Sequence, residues 1–256
     1  MSQLKAVIFG AIGTIVETSD LQRQAFNLAF AEAGLDWNWD VQTYRDLLKI
    51  NGGQNRIRAY RDTVANTAPP ANPFRTGVSD FQIAALHQAK TKHYVALLEN
   101  TPLRPRTGVV ELSEACRQAG IQVAFCTSTS IENVNGIGAA LAGLLPFERF
   151  ATIVTSNKIE RAKPAPDAYR YCLGQLGLTA DEAIAIEDTP VSLLAAKTAG
   201  ITTIATPGAT TSDQDFGAAD LVVADLTGIT IDRLSELVQA RQLTTSLRQS
   251  SDAFQG

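Results

Sequence analysis

Ala6-Val-Ile-Phe-Gly10-Ala-Ile12-Gly13-Thr14-Ile15-Val16-Glu17-Thr18 is the stretch that decides the fold of this 256-residue chain. Its first four residues are apolar, a pattern typical of a strand buried on both faces of a parallel sheet. In such a sheet, ligands bind just beyond the carboxyl ends of the strands. The turn after Phe9 should therefore carry a functional side chain, yet Gly10 and Ile12 stand there.

The composition is that of an ordinary folded domain, with 45% hydrophobic and 19% charged residues. The net charge of −4 predicts no general attraction to nucleic acid or to an anionic membrane. No apolar run reaches the ~18 residues of a membrane span, and the chain enters a strand without a signal peptide. Three scattered cysteines predict buried thiols in a reducing compartment, so we expect a cytoplasmic protein.

The order of apolar and helical segments predicts an α/β fold with a doubly wound parallel sheet. Strand-like runs recur at 121–126, 150–154, 183–186, 202–205 and 221–223, with helical segments between them. Residues 16–95 have helical periodicity throughout, apart from a Pro- and Gly-containing loop at 67–80. We therefore predict a core domain of residues 1–15 and 96–245, an inserted all-helical domain of residues 16–95, and a flexible tail of residues 246–256.

Polar side chains follow the predicted strands at the points where those strands end. They are Thr127 and Ser128, Lys163, and the pair Glu187 and Asp188. A hydroxyl, an ammonium group and two carboxylates at one sheet edge suit a phosphate group held together with Mg²⁺. Taken singly, Thr127 is equally typical of a helix cap, Lys163 of a surface charge, and the two acids of a solvated turn.

A set of longer motifs accompanies these residues. In chain order they are Phe30-Ala-Glu-Ala-Gly-Leu-Asp-Trp37, Gly52-Gly53 with Arg56-Ile57, Leu103-Arg104-Pro105, Thr127-Ser-Thr-Ser130, Lys163-Pro-Ala-Pro-Asp167, Glu187-Asp188-Thr189 and Ala195-Ala196-Lys197-Thr-Ala-Gly200. With them the chain resembles the haloacid dehalogenase (HAD) superfamily of phosphatases, in particular its CbbY-like and β-phosphoglucomutase-like branch. The resemblance implies a HAD-like core with a helical cap, and a substrate such as the sugar bisphosphate xylulose 1,5-bisphosphate.

The resemblance also defines what is missing at the first strand. The family pattern there is Asp-x-Asp-Gly-Thr, in which the first aspartate attacks phosphorus and the second moves protons. This chain keeps Gly13 and Thr14 but has Gly10 and Ile12 at the two aspartate positions. No catalytic residue is intact, and the Mg²⁺ site implied at Glu187 and Asp188 is weakened by the loss of an anionic ligand.

The substrate side of the cap departs from the family as well. The resemblance places substrate recognition at Glu17, Gly52, Gly53, Gln54 and Arg56. Gln54 stands where the family has a lysine, and Gln22 where it has a histidine, so two potential charges are lost.

Three hypotheses follow from the sequence. The first is a non-catalytic phosphatase-like protein that binds a small phosphorylated ligand, such as a sugar phosphate, or an unknown protein partner. The second is a Mg²⁺-dependent phosphatase with weak or altered chemistry, in which Glu17 or Asp20 replaces the missing carboxylates. The third is a protein-interaction module that uses the cap and binds no ligand. Lys163 either serves an anion site or pairs with Asp188.

Overall fold

The structure is a computed structural model, and it describes residues 3–10, 12–50, 52–67 and 77–253. The chain divides into two compact units, which we call the core unit (Met1–Glu17 with Leu103–Gly256) and the cap unit (Thr18–Pro102). The sequence places the same two divisions after residues 15 and 95. The second division falls later in the structure because the helix that precedes it continues to Glu99.

Six strands and ten α-helices make up the described part of the chain. The strands are β1 (Ala6–Phe9), β2 (Gln122–Cys126), β3 (Thr152–Val154), β4 (Ala183–Glu187), β5 (Thr202–Ala205) and β6 (Leu221–Val222). The helices are α1 (Ile12–Ile15), α2 (Ser19–Glu32), α3 (Val41–Leu47), α4 (Gly53–Thr67), α5 (Asp80–Glu99), α6 (Val109–Gln118), α7 (Ile131–Leu141), α8 (Asp167–Leu176), α9 (Pro190–Thr198) and α10 (Ile231–Ala253).

The core unit is built on one parallel sheet with the strand order β3-β2-β1-β4-β5-β6, which confirms the predicted fold class. Strand β1 lies at the centre, between β2 and β4, and all four of its residues are fully buried. Its register sets Phe9 beside Phe125 and Ile186. The three strands therefore end at one level, and the residues that follow them are neighbours at the sheet edge.

The last helix differs from the sequence-based expectation. The polar composition after residue 245 predicts a frayed tail, whereas α10 continues to Ala253. Leu234 and Val238 anchor the first half of this helix in the core. The glutamine and arginine residues further along have good helix propensity, so the helix continues after its buried part ends.

The cap unit contains α2 to α5 around an aromatic core. Trp39 lies 4.5 Å from Phe26 and 5.0 Å from Phe30 between ring centroids, and Trp37 packs edge-on against Phe30. Asp40 begins α3 as predicted, because its side chain accepts a hydrogen bond from Thr43 N.

Helix α5 begins at a capping box in which Ser79 and Gln82 satisfy each other's backbone N–H groups. The buried face of this helix consists of Ile83, Leu86, Lys90, Tyr94 and Leu98. The predicted loop lies mostly at residues 68–76, outside the described part of the chain. Within the described part, no helix is long and apolar enough to span a membrane.

Candidate functional site

The carboxyl ends of β1, β2 and β4 bring Gly10, Lys163 and Glu187 together. Lys163 Nζ lies 2.7 Å from Glu187 Oε1 and donates to the carbonyl oxygens of Cys126, at 3.0 Å, and of Gly10. Both charged side chains are buried, with 3% of the lysine and none of the glutamate exposed. The structure thus pairs Lys163 with Glu187, and the charge of Lys163 also opposes the rise in the pKa of Asp188.

Burial decides between the alternatives that the single residues leave open. Lys163 is not a surface charge, and Glu187 and Asp188 do not form a solvated turn, because all three are buried. Thr127 is not a helix cap, since Ser130 precedes α7. Its hydroxyl instead accepts a hydrogen bond from Thr129 N at 3.2 Å.

The turn after β2 contacts the segment that carries the lysine. Ser128 Oγ accepts a hydrogen bond from the backbone N of Lys163 at 3.3 Å. Thr127 N donates to Val154 O at 2.9 Å, which anchors the turn to β3. The three residues predicted to hold phosphate, Thr127, Ser128 and Lys163, are therefore neighbours.

Tyr169 belongs to the site, although the sequence analysis does not identify it. Its hydroxyl donates to Glu187 Oε1, and its ring centroid lies 4.8 Å from Lys163 Nζ. Burial raises the pKa of the phenol, and the neighbouring Glu187 raises it further. The periodicity of α8 places this tyrosine on the buried face, but nothing in the sequence indicates where its hydroxyl points.

Two glycines leave the space that the carboxylates of Glu187 and Asp188 occupy. A Cβ atom added to Gly10 would overlap both Glu187 Oε1 and Tyr169 Oη. A Cβ atom added to Gly13 would overlap Asp188 Oδ2. The turn after β1 therefore packs directly against the two acids that follow β4.

The two acids share an environment that disfavours negative charge. Burial raises the pKa of Glu187, and Lys163 opposes that rise. Burial also raises the pKa of Asp188, to about 7, with a further contribution from Glu187. One oxygen of each carboxylate, Glu187 Oε2 and Asp188 Oδ1, is buried without a hydrogen-bond partner.

These unpartnered oxygens fit a hard divalent cation, which prefers carboxylate ligands and would relieve the cost of burying two acids. The described residues contain no group of three or more histidine, cysteine, aspartate or glutamate side chains arranged to hold a metal ion. Glu187 and Asp188 could thus hold Mg²⁺, but they form a smaller anionic set than the family pattern supplies.

Arg106 is a second site residue that the sequence analysis does not identify. Its guanidinium donates to Gly13 O at 2.9 Å, to Thr206 O at 2.6 Å and to Pro207 O at 3.0 Å. It also opposes the rise in the pKa of Asp188. The turn after β1 and the turn after β5 are therefore held together by one cation.

Glu17 and Asp20, the two acids predicted to replace the missing aspartates, belong to different units of the structure. Glu17 ends the first segment of the core unit, with its Oε2 2.7 Å from where a Cβ on Gly208 would lie, and its charge raises the pKa of Asp188. In the cap unit, Asp20 accepts hydrogen bonds from Arg23 Nη2 at 2.7 Å and from Gln24 Nε2 at 2.6 Å.

The predicted substrate residues of the cap unit lie at the start of α4. Gly52 adopts a left-handed φ of 86°, Gly53 leaves room for His87 Nε2, and Gln54 is exposed. Arg56 Nε donates to Leu47 O at 3.1 Å and to Ile50 O at 2.9 Å, so this arginine closes the turn before α4.

A cluster of basic groups, Arg56, His87 and Lys90, lies within the cap unit. Burial lowers the pKa of Lys90 to about 7, and the cation Arg56 lowers it further. Burial likewise lowers the pKa of His87 to about 4, with Lys90 as the next cause. Gln22 Oε1 accepts a hydrogen bond from Lys90 Nζ, so a neutral amide contacts this buried ammonium group.

A family model described as haloacid dehalogenase-like hydrolase matches residues 4–200 of this chain. The match spans the sheet edge described above, from the turn after β1 to the acids after β4. The chain therefore belongs to the haloacid dehalogenase-like hydrolase family.

Within that family the chain is similar to CbbY proteins. It is 36% identical to Protein CbbY of Rhodobacter capsulatus over 235 residues, which cover 92% of this chain and 99% of the relative. It is 37% identical to the plasmid-encoded Protein CbbY of Cupriavidus necator over 223 residues, covering 87% and 86% of the two chains.

Solved structures give the same result. The crystal structure of CbbY from Rhodobacter sphaeroides in complex with phosphate matches with a TM-score of 0.76 and 34% identity, covering 88% of this chain and 96% of that one. A variant of that protein in complex with xylulose-(1,5)bisphosphate matches with a TM-score of 0.78 and the same identity and coverage.

Proposed function

We propose that this chain is a CbbY-type phosphatase-like protein that binds a phosphorylated ligand without hydrolysing it. The observation that carries the proposal is the pair Gly10 and Ile12 at the sheet edge where the family pattern has two aspartates. Glycine has no side chain to attack phosphorus, and isoleucine cannot transfer a proton. A water molecule at this position would have no adjacent base from those two residues, so its attack would be slow.

The two carboxylates that follow β4 are poor replacements for the missing nucleophile. Glu187 Oε1 receives hydrogen bonds from Lys163 and Tyr169, which lower its readiness to attack an electrophile. Asp188 has a raised pKa of about 7 and would act at neutral pH as a metal ligand or a partly protonated acid. Neither carboxylate is therefore the free, ionised nucleophile that the formation of an aspartyl-phosphate requires.

The ligand class is supported by the basic groups that each unit retains. The core unit keeps Lys163 with Thr127 and Ser128, and the cap unit keeps its cluster of Arg56, His87 and Lys90. A phosphoryl group next to Lys90 would favour the charged ammonium form that burial disfavours. The relatives from Rhodobacter sphaeroides, solved with phosphate and with xylulose-(1,5)bisphosphate, support a sugar phosphate as the ligand.

Mg²⁺ is part of this proposal. When bound at Glu187 and Asp188, the ion would supply positive charge that neutralises phosphoryl oxygens. Because two anionic ligands bind such an ion less tightly than three, we expect weak affinity. We further propose a cytoplasmic location, supported by the three buried cysteines, which are free thiols.

The alternative function is that of a phosphatase that uses Glu17, which lies close enough to Asp188 to raise its pKa.

The test uses pure protein incubated with Mg²⁺ and a panel of sugar phosphates, and both inorganic phosphate and the melting temperature are measured. The proposal predicts a ligand-dependent rise in melting temperature and no phosphate above background.

The variants Glu17→Gln and Asp20→Asn separate the alternatives. Phosphate release that disappears in either variant would establish altered chemistry by that carboxylate. The absence of any thermal shift with every sugar phosphate would instead favour a cap-mediated interaction module that binds no ligand. A thermal shift that Thr127→Val abolishes would indicate that the ligand binds at the core unit.

A further inference from the structure

A cavity of about 150 Å³ opens on the core unit at the amino ends of β2 and β3. It lies at the opposite end of β2 from Thr127 and the candidate functional site. Its walls come from α6, from the first residues of β2 and from the segment that joins α7 to β3. A volume of this size holds an apolar group of about six carbon atoms, such as a single ring.

Most of the cavity wall is apolar, and part of it is exposed. Ile121 and Leu145 are buried, whereas Leu144, which also lines the cavity, is 49% exposed. Phe150 adds an aromatic wall, and its ring packs edge-on against Phe147 with 5.2 Å between the ring centroids. An apolar group that binds here would remove this exposed apolar surface from water, which favours binding.

Hydrogen bonds hold the backbone of these walls in place. Leu145 N donates to Leu141 O at 2.8 Å, which fixes the segment after α7. Ala151 N donates to Val123 O at 2.8 Å, which fixes the segment before β3 against β2. The cavity is therefore formed in advance, and a ligand would bind with little cost of ordering the chain.

The rim of the cavity carries an excess of positive charge. Among the described residues that line it, the charged ones are Glu114, Arg117 and Arg149. Arg117 Nε donates to Glu114 Oε2 at 2.9 Å, and hydrogen bonding by Arg117 is the main cause that lowers the pKa of this acid to about 2. Arg149 Nη1 lies 3.9 Å from the same carboxylate, and 65% of the arginine side chain is exposed. Two guanidinium groups thus face one carboxylate.

We propose that this cavity binds a small organic acid that combines one apolar ring with a single carboxylate. The ring would contact Leu144 and Phe150, and the carboxylate would pair with Arg149 at the rim. A guanidinium group can bind a carboxylate through two parallel hydrogen bonds, which orient the ligand. One carboxylate matches the single excess charge of the rim, whereas a phosphate monoester carries about two negative charges. The proposal does not rest on the proposed function, because the cavity contains none of the residues predicted to hold phosphate.

The test uses benzoate as the probe, and heteronuclear NMR of the backbone amides of the native protein reports binding. We expect saturable shifts of the amides of Leu144, Arg149 and Ala151, with a dissociation constant on the order of 1 mM for so small a ligand. Benzyl alcohol keeps the ring without the charge, and acetate keeps the carboxylate without the ring. Each should bind at least about fivefold more weakly than benzoate, because each lacks one of the two interactions.

Two variants separate the two interactions. Arg149→Gln should weaken benzoate binding at least about fivefold and leave the binding of benzyl alcohol unchanged. Leu144→Gln should weaken the binding of both ring compounds, because it replaces apolar wall by a polar amide. Arg233→Gln is the matched control, since Arg233 pairs with Glu236 at 3.0 Å, is half exposed and does not line the cavity. This variant should bind benzoate as the native protein does.

Three results would overturn the proposal. The first is the absence of saturable benzoate shifts at these amides, and the second is an equal loss of affinity in Arg149→Gln and Arg233→Gln. The third is a set of shifts at the same amides that depends on protein concentration without benzoate, which would assign the cavity to contact with a second copy of this chain.

Discussion

Gly10 brings the backbone of the turn after β1 directly against a buried carboxylate. A Cβ atom at this position would overlap Glu187 Oε1, so the carboxylate of Glu187 occupies the space beside the glycine. Glu187 also forms a buried ion pair with Lys163. At the centre of the site, Lys163 and Tyr169 both donate hydrogen bonds to Glu187 Oε1.

This ion pair should be one of the more sensitive points of the core unit. Lys163→Met removes the ammonium group and leaves the fully buried Glu187 without its charge partner. We expect a loss of about 3–5 kcal/mol in the free energy of unfolding. Urea denaturation followed by circular dichroism measures this loss.

Lys49→Met is the matched control, because Lys49 pairs with Asp46 at 2.8 Å with both side chains more than half exposed. Solvent screens such a pair, so its loss should leave the unfolding free energy nearly unchanged. Equal losses of unfolding free energy in the two variants would show that the buried Lys163–Glu187 pair stabilises the fold no more than an exposed pair does.

At the scale of single residues, the sequence predicts which groups gather but not how they pair. Thr127, Lys163, Glu187 and Asp188 could be placed at one sheet edge because parallel strands end together. The partner of Lys163, which is Glu187 at 2.7 Å, depends on how the side chains pack, and the sequence does not show that packing. Tyr169 and Arg106 were missed for a similar reason, since their partners lie on elements distant in sequence.

At the scale of elements, hydrophobic periodicity predicts most of the architecture. Strand β5 has the predicted bounds of 202–205, and the other strands begin or end within two residues of the prediction. The sequence analysis does not predict α1, because a helix of a single turn is too short to show periodicity. It also does not predict the polar end of α10, which forms because of helix propensity rather than burial.

The capping box of α5 is expected to contribute measurably to the cap unit. Ser79→Ala removes the hydroxyl that accepts from Gln82 N, and the loss should be about 1 kcal/mol. Tryptophan fluorescence during urea unfolding is a suitable measurement, since Trp37 and Trp39 both lie in the cap unit. Ser79→Thr keeps a hydroxyl and should retain most of the stability. If alanine and threonine are equivalent at this position, the cap contributes nothing.

Helix α5 also makes the stability of the cap unit depend on pH. The pKa of His87 falls from its ordinary 6.5 to about 4 because the ring is buried. Between those values the unfolded chain binds a proton that the folded chain does not. Stability should therefore fall as the pH drops from 6.5 towards 4, by up to about 3 kcal/mol.

His87→Gln tests this dependence. The difference in unfolding free energy between the native chain and the variant should change between pH 6.5 and about 4 and stay constant above that range. Urea midpoints measured by tryptophan fluorescence at a series of pH values give this difference. A difference that does not vary with pH would show that His87 is not held neutral by the fold.

At the scale of the whole molecule, membership of a family does not determine activity. The chain belongs to the haloacid dehalogenase-like hydrolase family by its match over residues 4–200, and the fold agrees with CbbY structures. Those findings establish the family and the fold, whereas the proposed loss of catalysis rests on Gly10 and Ile12 in the first turn. Our account is that the scaffold and its basic groups are retained for binding while the covalent step is lost.

One measurement tests that account most directly. Phosphorus NMR of xylulose 1,5-bisphosphate, mixed with Mg²⁺ and a comparable concentration of the native protein, reports binding and hydrolysis in the same spectrum. We predict saturable changes in the bisphosphate resonances and no inorganic phosphate beyond a protein-free control over hours. Inorganic phosphate that appears faster than in the control, or bisphosphate resonances that the protein leaves unchanged, would contradict the account.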